Sequence, residues 1–175
     1  MAQNPDTKHG KEFENDLHEE FRNQYMRRPV RWTRIMDSGG AGNLIRKAAG
    51  DFSLMVDSKE KDSCRPFFFQ IECKATVQDL KFESRYRDFI KSEQNASMVM
   101  SMRAGAQGIY LFRYVNLGYF EVWDAELVAR FYPFKRTRIE GKPAMTVSDC
   151  NIPAFAESIC TDPCPLLEEL RRTRA

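Results

Sequence analysis

No run of apolar residues in this 175-residue chain reaches the length needed to cross a bilayer, and Met1 to Gly10 lack the apolar core of a secretory signal. A soluble, cytoplasmic protein with no membrane partner is expected. Histidine is scarce, with only His9 and His18. The five cysteines, Cys64, Cys73, Cys150, Cys160 and Cys164, are odd in number and form no CxxC pair. That pattern argues against a disulfide framework and against a zinc site, and free thiols are expected. Excess charge of one sign is also missing: the net charge is +2, so bulk composition does not announce a nucleic-acid binder. The glycine loop Gly39-Gly40-Ala41-Gly42 lacks the following Lys-Ser/Thr of a phosphate-binding loop, which excludes nucleoside triphosphate chemistry of that type. There is no internal repeat and no low-complexity tract.

What is present is an ordinary globular balance, 42% hydrophobic and 30% charged, in a length that suits one compact domain. Phe13, Leu17 and Phe21 recur every four positions among acids, which predicts an amphipathic helix from Lys11 to Met26, closed by Pro29. The basic segment with Arg27, Arg28, Arg31 and Arg34 around Trp32, continuing through the glycine loop to Arg46 and Lys47, is expected to be flexible and positive. Phe52 to Val56 and Phe67 to Ala75 read as a hairpin of two strands. Gln78 to Lys91 looks polar and irregular, and Gln94 to Met102 predicts a second helix. Gln107 to Val115 and Tyr119 to Trp123 are further strands, Asp124 is placed to cap a helix from Ala125 to Phe131, and Leu166 to Arg172 is a short terminal helix. The order predicts an α/β fold with a mixed central sheet flanked by helices.

The chemically informative pattern is Asp51 at the head of one strand and Ile71-Glu72-Cys73-Lys74 on the next. Glu72 and Lys74 are two apart on a strand, so they share a face, and a hairpin can bring Asp51 beside them. Two nearby carboxylates repel each other, and a divalent cation with hard oxygen ligands relieves that repulsion. Such a cation acidifies a bound water and offsets charge on a phosphoryl oxygen, while Lys74 orients the water or neutralises the phosphate. The plainer alternative is a cross-strand ion pair on a solvated face. The aromatic, nearly continuous apolar character of the strand weighs against it, because a covered strand leaves its charges without bulk water.

These residues resemble the PD-(D/E)xK nucleases, and more closely the RecU-type Holliday-junction resolvases and their phage relatives, over about Gly10 to Tyr132. The matching elements are Gly10-Lys11-Glu12-Phe13-Glu14, Arg34-Ile35-Met36-Asp37-Ser38-Gly39, Gly50-Asp51-Phe52, Ile71-Glu72-Cys73-Lys74-Ala75-Thr76 and Gln94. Downstream, Gly108 to Phe112 and Tyr119 to Val122 are similar to the paired strands that end that family's core. Gly50 stands where the superfamily has its proline, and the segment with Lys59, Glu60, Lys61 and Asp62 occupies the place of the family's junction-inserting projection.

The resemblance implies a restriction-endonuclease-like core at residues 10–132, with a flexible segment at 1–9 and a C-terminal extension at 133–175. It implies a Mg²⁺- or Mn²⁺-dependent endonuclease, with Asp51, Glu72 and Glu14 around the metal, Lys74 as the electrostatic group and Gln94 as a supporting contact. A homodimer that nicks opposed strands of a four-way DNA junction is the implied assembly, in the host cytoplasm if the source is a phage. Arg27, Arg28, Arg31, Arg34, Arg46 and Lys47 are the expected DNA contacts, since bunched basic residues beside an aromatic and a glycine loop suit phosphate binding. Two alternatives stay open: another nuclease of the same superfamily acting on duplex or branched DNA, and a non-catalytic nucleic-acid-binding protein.

Overall fold

The computed structural model describes residues 5–34, 50–57 and 66–175. Six strands form one sheet in chain order: β1 (Val30–Arg34), β2 (Phe52–Val56), β3 (Phe67–Thr76), β4 (Gln107–Tyr114), β5 (Tyr119–Asp124) and β6 (Met145–Ser148). Every neighbouring pair is antiparallel except β3 with β4, so the sheet is mixed, as expected. A parallel pair needs a crossover, and helices α2 (Phe82–Phe89) and α3 (Ser92–Arg103) provide it. The remaining helices are α1 (Pro5–Tyr25), α4 (Ala125–Phe131), α5 (Ile152–Thr161) and α6 (Cys164–Arg174). No helix among the described residues is long and apolar enough to cross a membrane.

The sheet divides the core into two layers. On one face Phe13, Leu17 and Phe21 of α1 meet Phe69, Ile71 and Cys73 of β3 and Phe155 and Ile159 of α5. On the other, Phe82 and Tyr86 of α2, Met98 of α3 and Leu127 and Val128 of α4 cover Tyr110, Phe112 and Trp123. Period-two alternation along β3 therefore sends its odd positions to the first layer and its even positions, Gln70, Glu72 and Lys74, to the second.

Several expectations need correction. The first helix starts earlier than Lys11: α1 begins at Pro5, whose missing N–H is harmless in a first turn, and Asp6 Oδ1 accepts a hydrogen bond from Val77 N at 3.1 Å. Arg31 to Arg34 are not a flexible stretch, because Val30, Trp32 and Arg34 alternate as one face of an edge strand paired with β2. The polar-looking segment before Lys91 contains α2, whose Phe82 and Tyr86 are one turn apart and fully buried beneath a charged outer face. The segment 133–175, expected as an extension packing on or extending from the core, supplies β6 beside β5 and α5, which packs on α1.

The hairpin of β2 and β3, the cap of α4 by Asp124 Oδ1 on Glu126 N and Leu127 N, and the later strands agree with expectation. Cys73, Cys150 and Cys160 are free thiols. Cys64, the glycine loop, Arg46, Lys47, residues 35–39 of the Arg-x-x-Asp element and Lys59 to Asp62 lie outside the described residues.

Candidate functional site

Glu72, Lys74 and Gln94 come together on the α3 side of the sheet, and Asp51 lies within electrostatic reach of Glu72 and Lys74. The register ends with Phe52 paired to Ile71, and Asp51 stands just outside the start of β2. Asp51 is held by two hydrogen bonds to β3: its N–H donates to Ile71 O at 2.7 Å, and its Oδ2 accepts from Cys73 N at 2.6 Å.

Gly50 allows that approach. Its φ is +70°, and a Cβ added there would overlap the Ile71 carbonyl and lie 2.8 Å from Gln70 Nε2. Proline, fixed near φ −65°, cannot take this conformation.

Glu72 is 3% exposed and forms an ion pair with Lys74, Oε1 to Nζ at 2.6 Å. Gln94 joins both: its Nε2 donates to Glu72 Oε1 at 2.6 Å, and its Oε1 accepts from Lys74 Nζ at 3.2 Å. The same Oε1 accepts from Lys91 N at 3.1 Å, so Gln94 caps the start of α3 while tying that helix to β3. A buried ammonium tolerates its position only with such partners.

Burial, then the charges of Glu72 and Glu14, push the Asp51 carboxyl up to about 8 from its ordinary 3.8, against the opposing hydrogen bond from Cys73 N and the charge of Lys74. The Cys73 thiol is pushed up by burial and by the charges of Asp51, Glu14 and Glu72. With Asp51 ionised, this corner would carry one more carboxylate than Lys74 and Arg34 balance. Its donors are oxygen atoms, and a cation that takes one or two protein carboxylates and keeps its waters suits them. Among the described residues no group of three or more His, Cys, Asp or Glu is assembled as a metal cage. Glu14 faces Arg34 instead, Oε2 to Nη2 at 2.9 Å, and acts on Asp51 through its field.

The expected DNA contacts divide. Arg27 and Arg31 are exposed. Arg28 is engaged with Glu157 at 2.6 Å, and Arg34 with Glu14 and with Asn15 Oδ1 at 2.7 Å. Two features escaped sequence reasoning. The Cys73 backbone N–H that anchors Asp51 has no sequence signal. Tyr110, across from Glu72 on β4, is fully buried, its hydroxyl without a partner among the described residues, and burial and the Glu72 charge push that hydroxyl up; an aromatic strand position gives no hint of it.

No family model matches the sequence, nor does any curated protein. Among solved structures, the chain is similar to Hjc of Archaeoglobus fulgidus, a Holliday junction resolvase from an archaeal hyperthermophile, at 15% identity and a TM-score of 0.44 over 85% of this chain and 98% of that one. At that distance the likeness says nothing about individual residues.

Proposed function

We propose that this protein is a divalent-metal-dependent, structure-specific DNA endonuclease of the PD-(D/E)xK type, and that two copies act as a Holliday-junction resolvase. The observation that carries the reading is the meeting of Asp51, Glu72, Lys74 and Gln94 at one corner of the sheet. A solvated ion pair would not need a buried glutamate, a hydrogen-bonded glutamine and a neighbouring carboxyl that desolvation and like charges raise to about 8.

Asp51 and Glu72 are the residues that would hold Mg²⁺ or Mn²⁺, with Glu14 as an outer acid. A bound divalent cation supplies an activated water and charge neutralisation at the scissile phosphate. The chain's own groups do the rest. Glu72 and Gln94 fix the Lys74 ammonium, leaving its third proton for an entering phosphoryl oxygen. The Cys73 N–H keeps Asp51 Oδ2 in place whatever its protonation state. A homodimer would match the near two-fold symmetry of a four-way junction.

The test is incubation of purified protein with a labelled four-way junction, a matched duplex and a flap, with Mg²⁺ and with chelator. Paired nicks in the junction, abolished by chelator and by Lys74→Met, are expected. Cleavage of all three substrates alike would leave a nuclease without junction selectivity. Binding that persists in chelator with no scission under any divalent cation would make the protein a non-catalytic binder.

A further inference from the structure

Between α1 and β1 runs an open groove of about 670 Å³, lined by His18, Arg22, Tyr25, Met26, Arg31 and Trp32. Its chemistry differs from that of the acidic corner: two guanidinium groups, two aromatic rings and an imidazole, with no carboxylate in the lining. The Trp32 ring meets His18 edge-on, with ring centroids 4.5 Å apart, and His18 Nδ1 is buried without a hydrogen-bond partner among the described residues. Tyr25 is 55% exposed and Met26 is 78% exposed, so the groove presents large apolar and aromatic surface to solvent. Arg22 is tied only to Glu19, at 3.6 Å with both side chains more than half exposed, a contact worth little in water.

The groove lies on the α1 face of the sheet and is linked to Asp51 through Arg34 and Glu14. Trp32 and Arg34 lie two apart on β1 and share the face toward α1, about 7 Å from root to root. Arg34 in turn holds Glu14, whose charge reaches Asp51. Trp32 and Arg31 thus stand about two to three base steps beyond Arg34, taking 3.4 Å per step. Positive groups that follow a backbone, together with aromatic faces that accept any base, are the makings of a single-strand site. A paired base cannot leave its stack to reach the half-buried Trp32, whereas a splayed base can.

Resting on the reading of this protein as a DNA endonuclease, we infer that the α1–β1 groove binds the unpaired nucleotides next to the cleaved bond. Trp32 stacks a base, and Arg31 and Arg22 contact the flanking phosphates. The groove then selects branched or frayed DNA over continuous duplex.

The chain has two tryptophans, and Trp123 is 1% exposed with its Nε1 donating to Glu121, so a change of emission on binding reports Trp32. The full-length protein is titrated in EDTA with a short oligothymidylate and, separately, with a blunt duplex. The single strand is expected to quench the emission and the duplex to leave it unchanged. By anisotropy of a labelled oligothymidylate, Trp32→Leu should bind about tenfold or more weakly, and Trp32→Phe should recover most of the loss. Arg31→Ala, an exposed change that leaves the core intact, should weaken binding and lower the salt slope by about one.

Wild-type affinity in both Trp32→Leu and Arg31→Ala overturns the inference, as does emission that responds to protein concentration alone, which would make a second copy the occupant. Cleavage of junctions with unaltered single-strand binding in these variants removes the groove and leaves the nuclease. Quenching by oligothymidylate without cleavage of any substrate removes the nuclease and leaves the groove.

Discussion

Replacing Asp51 by asparagine should make the metal-free protein more stable and inactive at once. The amide oxygen can still accept the 2.6 Å hydrogen bond from Cys73 N, so the local geometry survives while the charge is removed. In the folded chain the carboxyl is held up to about 8, against 3.8 ordinarily, chiefly by burial and then by Glu72 and Glu14. A carboxyl raised in this way stays protonated in the folded state at pH values where the unfolded chain has already ionised. Stability therefore falls as pH rises from about 4 to about 8, by at most about 1.4 kcal/mol per pH unit. Partial solvent access and the sharing of charge with Glu72 reduce the slope, so an advantage for asparagine of about 1–3 kcal/mol at neutral pH is the working figure. Urea denaturation of wild type and Asp51→Asn in EDTA, repeated from acid to mildly alkaline pH, measures it. The gap should be smallest in acid and widen steadily toward pH 8. A gap that does not change with pH, or an asparagine variant less stable than wild type at pH 8, would mean that Lys74 stabilises Asp51 as an ordinary ion pair.

Three further outcomes are expected. Mg²⁺ added to wild type at pH 6 to 7 should release a proton, detectable in weakly buffered solution, and Asp51→Asn should abolish the release. Gly50→Ala should cost about 2 kcal/mol or more in chemical denaturation, since the methyl would overlap the Ile71 carbonyl at a positive φ. Arg174→Ala strips the fully buried Asp124 of its 2.7 Å partner, so a loss of about 3 kcal/mol and a lower thermal midpoint should follow.

Much of the acidic corner was legible because strand periodicity is local. Two residues apart on a strand means one face, so Glu72 and Lys74 were joined by their spacing, and the adjacent hairpin brought in Asp51. Gln94 was legible only through likeness to a family, since nothing local says where a helix start will dock. The edge strand β1 was hidden because its alternate outward positions are charged. Helix α2 was hidden because its few buried aromatics are outnumbered by surface charges, and only tertiary packing reveals which side they serve.

The sequence by itself determined the kinds of chemistry available: a mixed α/β fold, two acids and a lysine on neighbouring strands, and basic residues around an aromatic. Tertiary structure alone decided how these groups are used. It turned Glu14 toward Arg34, tied Gln94 to both members of the buried pair, and set the Arg31 and Trp32 edge against α1 to form a groove. The physical reason is that burial and electrostatic fields come from residues distant in the chain, whereas side-chain alternation along a strand does not.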